Sequence, residues 1–365
     1  MLHGLRAREI LRFALLLFAV SLSLSQSRIA NAEAVGAVAG QFSVSESGAA
    51  TYTIPITVPP GTAGMEPKLA LTYNSQAGNG LLGMGWSLSG LSVIHRCAAT
   101  VAQDGRKGEI NYDTNDRFCL DGQRLIAASG AYGANGTEYR HELESHSRVI
   151  SYGTAGVGPA YFKVWTKSGQ VMEFGATDDS RIEAQGSPTA RIWLINKISD
   201  RSGNYISLSY NENNSQGHHY PNRIDYGGNT TTGIPHGQSV VFSYENRPDQ
   251  DVLYEAQTIV RNPTRLSEIF TYNGSSAAKY LRLHYELGPS TNRSRVASVT
   301  ECDAAGVCLL STDFGFQDGA DSLTSQQWIN TTWGFTSASD GTPGLIPLDI
   351  NGDGKSDLVQ QWNNN

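Results

Sequence analysis

An all-β fold of stacked β-hairpins is what this sequence predicts, and three observations carry the prediction. Apolar and polar residues alternate with a period of two wherever clusters of Gly and Asn do not interrupt them. The chain holds 39 Gly and 16 Tyr with only 17% charged residues, the balance of many short strands joined by turns. Helical periodicity is hard to find once Ala32 is passed.

The first element is a targeting segment. Arg6, Arg8 and Arg12 precede an apolar run from Phe13 to Val20 that loosens through Leu24, and Ala30-Asn31-Ala32 follows. Basic, apolar, then small is the order of a secretory signal peptide, with cleavage expected after Ala32. A membrane span needs ~20 apolar residues, and here the run is about 12. No second long apolar run occurs, so no membrane span is expected in the mature chain. The expected organisation is a signal peptide at 1–32, a β-rich domain at 33–325 and a short further segment at 326–365.

Strands are then read in order. Residues 51–58 (TYTIPITV) alternate and stop at Pro59-Pro60-Gly61; residues 68–73 (KLALTY) alternate again and stop at Asn74-Ser75. From about 160 to 316 the pattern recurs between Ser-Gly, Gly-Asn, Asn-Gly and Pro-containing turns. Within it lies a loose internal repeat. Asn196-Lys197-Ile198 leads to a segment closing on Tyr210, Arg265 to Ile269 leads to one closing on Tyr285, and Arg295 to Val299 leads to Asp313-Phe314-Gly315-Phe316. Each copy reads as a hairpin whose return strand ends in an aromatic, expected to serve core packing. A single hairpin is marginal in water, so the units must pair side by side.

Charge and cysteine usage narrow the function. The net charge is −7 and no Lys/Arg block is present, which argues against nucleic acid as a partner. Four cysteines in an exported chain read as two disulfides. Cys302 and Cys308 bracket a hairpin tip, leaving Cys97 with Cys119; loop closure makes these worth about 2 and about 3 kcal/mol. Zinc would want C-x-x-C spacing or neighbouring His, which neither pair has.

Three phrases carry a family resemblance: Phe42-Ser43-Val44 through Tyr52-Thr53-Ile54-Pro55-Ile56; Gly78-Asn79-Gly80-Leu81-Leu82-Gly83-Met84-Gly85-Trp86; and Asp116-Arg117-Phe118-Cys119-Leu120-Asp121-Gly122. Together they resemble the SpvB-like N-terminal region shared by Salmonella-type virulence proteins, B components of insecticidal Tc toxin complexes and secreted RHS/YD-repeat proteins. The resemblance spans about 38 to 318. It implies that the hairpins form part of a β-shell enclosing a toxic C-terminal segment, with other toxin-complex subunits, or the C-terminal part of a longer protein, as partners.

A second motif lies near the C-terminus. Asp349, Asn351, Asp353 and Asp357 set side-chain oxygens at alternating positions, with Gly354 to turn the chain and Lys355 offering its backbone carbonyl. Such a set suits a hard cation, expected to be Ca2+. Gln360 stands where an EF-hand would place Glu; the loop instead resembles the FG-GAP/VCBS loops of β-propeller blades. That resemblance implies the beginning of a blade, and with the chain ending at Asn365 it leads to the expectation of a piece of a longer protein.

Three other signals are read as structural. Gly78 to Gly83 spells G-x-G-x-x-G, but Trp86-Ser87-Leu88-Ser89 continues as strand, so turns are expected rather than a dinucleotide site. His218-His219 is expected in a solvated loop. Glu142-Leu143-Glu144 matches the E-x-E of arginine ADP-ribosyltransferases but lacks the accompanying Ser-Thr-Ser strand, and is expected on the exposed face of a strand. With no nucleophile–base pair in view, the expectation is a secreted, non-enzymatic scaffold. The competing readings are an exported ADP-ribosyltransferase and a calcium-dependent surface adhesin.

Overall fold

The computed structural model describes residues 36–250 and 252–318, with the backbone of Ile346–Leu348 and Asp357–Val359. The expected signal peptide, 1–32, lies outside the described residues. The described residues up to Gln317 belong to one compact unit, and a second unit begins at Asp318.

The chain opens with β1 (Gln41–Val44), β2 (Ala50–Ile56) and β3 (Leu69–Asn74), followed by the two-residue pieces β4 (Asn79–Gly80) and β5 (Gly83–Met84) and by β6 (Trp86–Ser89). Strands β1, β2, β3 and β6 pair antiparallel in that order as a small sheet. Its alternation works as read: Ile54, Ile56, Leu69 and Leu71 are buried and belong to the same core as the rest of the unit.

Next come β7 (Val93–Cys97), β8 (Arg117–Leu120), β9 (Gln123–Ser129), β10 (Glu138–His141), β11 (Arg148–Tyr152), β12 (Tyr161–Trp165), β13 (Val171–Phe174), β14 (Arg181–Glu183) and the long β15 (Ala190–Ser199). Strands β7 to β13 pair each with the next, and β15 then pairs with both β13 and β7, closing an eight-stranded barrel. Closure removes free strand edges from this part of the chain. It is possible because β15 exchanges neighbours midway: Ile192, Trp193 and Leu194 face β7 and β14, while residues 195–199 face β13.

The second half of β15 also starts a meander. Residues 197–199 pair with β16 (Asn204–Asn213), which leads to β17 (His218–Asn229), β18 (Gln238–Asn246), and, after a separate hairpin of β19 (Val252–Glu255) and β20 (Thr258–Arg261), to β21 (Thr264–Asn273), β22 (Ser276–Leu287), β23 (Ser294–Asp303) and β24 (Thr312–Asp313). Barrel and meander are therefore one hydrogen-bonded network. The hairpins expected from the repeat are β15–β16, β21–β22 and β23–β24.

The closing aromatics do more than fill the core. Tyr210, Tyr244 and Tyr285 each follow a β-bulge in the pairing with the next strand. Each hydroxyl donates backwards to a carbonyl of the strand before: Tyr210 to Ile195 at 2.6 Å, Tyr244 to Pro221 at 2.5 Å and Tyr285 to Leu266 at 2.5 Å. Burial raises all three phenols, so the donor proton stays in place. The repeat is thus a bulge followed by a tyrosine tie, and it includes β17–β18, which the sequence pattern left out. The third expected copy ends instead in Phe314, whose ring packs on Tyr52 and Trp86 of the small sheet, at 5.7 and 4.9 Å.

Both expected disulfides are present, Cys97–Cys119 joining β7 to β8 and Cys302–Cys308 closing the turn after β23. Helix is confined to short pieces such as α1 (Val101–Asp104) among the described residues. In the second unit, β25 (Ile346–Leu348) and β26 (Asp357–Val359) pair antiparallel. A propeller blade lies outside what the described residues reveal.

Candidate functional site

Of the three family phrases, the first forms β1 and β2 of the small sheet, and the other two fold into joints of the structure. In the glycine-rich phrase, β4 and β5 form a tight hairpin, so the G-x-G-x-x-G spacing marks turns, and Trp86 opens a strand as expected. Gly83 has φ 80°, and a Cβ on it would stand 2.3 Å from the Ser294 carbonyl oxygen; only glycine lets this hairpin approach β23 so closely. Leu81 accepts from the Leu266 amide at 3.2 Å, and Leu82 is fully buried. A buried ion pair completes the clamp. Arg247 and Asp249, with side chains 0% and 2% exposed, meet at 3.0 Å; Arg247 also donates to Gly80 O and Asn79 Oδ1, while Asp249 accepts from the Ser294 amide at 2.7 Å.

The phrase from Asp116 to Gly122 plugs and turns the barrel. Arg96, inward on β7, is bonded to Asp116 at 2.9 Å with both side chains sealed from water, and donates to the carbonyls of Ala190 and Val157. Its guanidinium lies over the rings of Tyr112, Phe118 and Trp193. Asp116 also accepts from the amides of Asn111 and Tyr112, so the buried charges are paired and hydrogen-bonded. Phe118, Phe162 and Trp193 pack edge to face at 5.0 to 5.4 Å and fill the barrel interior. At the other end of the phrase, Asp121 and Gly122, both at positive φ, turn β8 into β9, and the Asp121 carboxylate accepts from the Val93 amide at 2.8 Å. Neither buried ion pair was legible in the sequence. The one available signal was an arginine at the same parity as Ile94 on an alternating strand.

Two expectations are corrected. His218 and His219 do not sit in a solvated loop: they are the first residues of β17, opposite Asn213 and Glu212, and His218 is buried. Pairing with β16 extends far enough to take them in. Glu142-Leu143-Glu144 does not lie on a strand face, because β10 ends at His141 and the three residues make the exposed bend that follows. Glu142 binds Gln103 beside a shallow cavity lined by Gln103, Ile126, Arg140 and His141.

Of the expected cation ligands, Asp349, Asn351, Asp353 and Lys355 lie outside the described residues, and Asp357 begins β26. Leu348 and Asp357 face each other in the β25–β26 pairing, so the candidate loop is the connection of that hairpin. Among the described residues no three His, Cys, Asp or Glu side chains are grouped to hold a metal, and no helix is long and apolar enough to cross a membrane.

A closed barrel running into a meander defines the chain as an all-β protein. Residues 44–279 match the family described as Salmonella virulence plasmid 65kDa B protein, and the chain belongs to that family. Among curated relatives it is 26% identical over 184 residues to mono(ADP-ribosyl)transferase SpvB of Salmonella typhimurium, covering 45% of this chain and 30% of that protein. The chain thus spans under a third of the length of the curated relatives it matches. Its fold is shared with the crystal structure of TcdB2-TccC3 (TM-score 0.67, 19% identity, 90% of this chain and 19% of that chain). It is shared too with the N-terminal domain of effector protein SpvB from Salmonella typhimurium strain LT2 (TM-score 0.56, 19% identity, 68% of this chain and 98% of that one).

Proposed function

We propose that this chain is an exported, non-catalytic scaffold module of a bacterial toxin complex or RHS-type protein, and that it helps to enclose or deliver a toxic segment. One observation carries the reading: an unbroken strand-to-strand network in the arrangement that TcdB2-TccC3 shares over 90% of this chain. A wall needs that property, because each strand extends it through backbone bonds alone and leaves side chains to set its two faces. The barrel interior is filled with aromatics and a paired arginine, so enclosure would fall to the wall, not to the barrel. The match to an isolated SpvB N-terminal domain supports this over the ADP-ribosyltransferase reading.

The test is co-expression with Tc-type subunits followed by protease digestion. A scaffold module is expected to co-purify in fixed stoichiometry and to shield the toxic segment from cleavage. A chain that stays alone, with the segment cut as fast as in its absence, would sink the proposal. Transfer of label from NAD+ to a host protein would favour the enzyme instead.

Export and calcium belong to the same proposal. Two disulfides suit an oxidising compartment, and the Asp349–Asp357 connection offers oxygen donors of the kind Ca2+ takes. Native mass spectrometry of exported protein is expected to show a chain beginning at Glu33 with one Ca2+ that a chelator removes, and none on Asp353→Ala. A mass that includes Met1, or an unaltered metal content in the variant, would refute the respective part.

A further inference from the structure

The hairpin β19–β20 pairs with neither of the strands it is inserted between. Glu255 stands opposite Thr258, and the two turn residues, Ala256 and Gln257, have φ of 45° and 63°. Glycine or asparagine supplies this turn geometry at least cost, so outside contacts must hold it. The Tyr112 hydroxyl donates to Ala256 O, and Gln257 Nε2 donates to Ile110 O at 2.8 Å. The Gln185 amide exchanges two bonds of 3.1 Å with the Ile259 backbone, and the Arg261 amide donates to Gln216 O at 2.9 Å. Gly217 makes room for the strand: a Cβ there would lie 2.2 Å from Ile259 O. The hairpin is a strap laid across barrel loops and the start of β17, with Tyr254 79% exposed on its outside.

Beneath the strap lies a cluster of basic groups served by few acids. Arg191, buried on β15, donates to Glu255 at 3.3 Å and to Gly217 O at 3.1 Å, and its Nε has no partner. The Nδ1 atoms of His218 and His219 are likewise sealed from solvent and unpartnered. His95 on β7 feels Glu255 from the strap and Asp121 from the β8–β9 turn. Glu212 of β16 stands across from His219, but burial, with Glu183 and Asp179 nearby, pushes its carboxyl up to about 7. Its negative charge is therefore lost early as the solution is acidified.

We propose that the β19–β20 hairpin is an acid-released strap, closed over uncharged His219 and lifted when this ring gains a proton beside Arg191. Burial, then Arg191 and His218, hold His219 down at about 4 against an ordinary 6.5; burial lowers His218 too, but its bond to the Arg261 backbone, on the strap itself, favours the charged ring and works against release. Lifting the strap restores the ordinary value, so the open form binds more protons below that pH. For His219, closure is thus complete above 6.5 and weakens as pH falls from 6.5 towards 4, by up to about tenfold per pH unit. The Arg191–Glu255 pair opposes opening.

Hydrogen exchange on the whole, disulfide-intact chain tests this, comparing about pH 7.5 with about pH 5 after correction for intrinsic rates. Residues 252–261 are expected to lose about tenfold or more in protection while β21 keeps its own, and His219→Gln is expected to flatten that loss. Glu255→Gln, a change on an exposed side chain, is expected to move the opening midpoint to higher pH, which keeps the test usable should His219→Gln misfold. Unchanged protection of the strap across the pH range, an equal loss in β21, or an unmoved midpoint in Glu255→Gln would each overturn the proposal.

Discussion

Replacing Trp193 by alanine is expected to lower the free energy of unfolding by about 3–5 kcal/mol. The indole is fully buried, meets Phe162 and Phe118 edge to face at 5.0 and 5.3 Å, and donates from Nε1 to Pro159 O at 3.2 Å. The cavity left behind cannot close easily, because the surroundings are strands of a closed barrel. Gly175 already lies against the indole, where a Cβ would be 2.4 Å from Cδ1. Trp193 also sits at the point where β15 faces β7 and β14, just before it joins β13 and the meander. The loss should therefore reach both halves of the network. Urea unfolding followed by far-ultraviolet circular dichroism measures it, and a change below about 1 kcal/mol would mean that the barrel collapses around the gap.

Asp249→Ala is the second large effect, expected to cost about 3–5 kcal/mol because it strands a buried guanidinium. Arg247 keeps its bonds to Gly80 and Asn79 but loses its counter-ion in a site closed to water. Replacing both Arg247 and Asp249 by apolar residues of similar volume should recover most of the loss, since the penalty lies in the unpaired charge. Burial alone would raise the Asp249 carboxyl, but bonds from Arg247 and Ser294 outweigh it and hold it well below the usual carboxylate range. The stabilisation is accordingly present at neutral pH and fades only as strong acid protonates the carboxylate. Equilibrium unfolding of both variants at neutral pH decides the matter: a double variant as unstable as Asp249→Ala would show that packing around the clamp, not charge, is what was lost.

The strand alternation was legible because it is local. Residues 51–58 and 68–73 declared β2 and β3 almost to the residue, and the turn residues before Tyr205 and Tyr280 placed two hairpins correctly. The disulfides followed from spacing and the expected export, and the glycine-rich phrase was read as turns because a strand follows it. The misread elements depended on partners far along the chain. His218 and His219 look like loop residues until β16 extends opposite them, and Glu142 to Glu144 alternate like a strand but have no strand to pair with beyond His141.

Sequence by itself determined the all-β character, the hairpin repeat, the two disulfides and the family, since each rests on residues near one another or on phrases of unusual composition. Only the tertiary structure decided the closed barrel, the exchange of neighbours along β15, the backward tyrosine ties of Tyr210, Tyr244 and Tyr285, and the pairs Arg96–Asp116 and Arg247–Asp249. The physical reason is the two-fold period of a strand. That period says which side chains share a face, but it carries no information on which strand lies alongside, and a buried charge is tolerated only where the partner that neutralises it has been brought near by the rest of the fold.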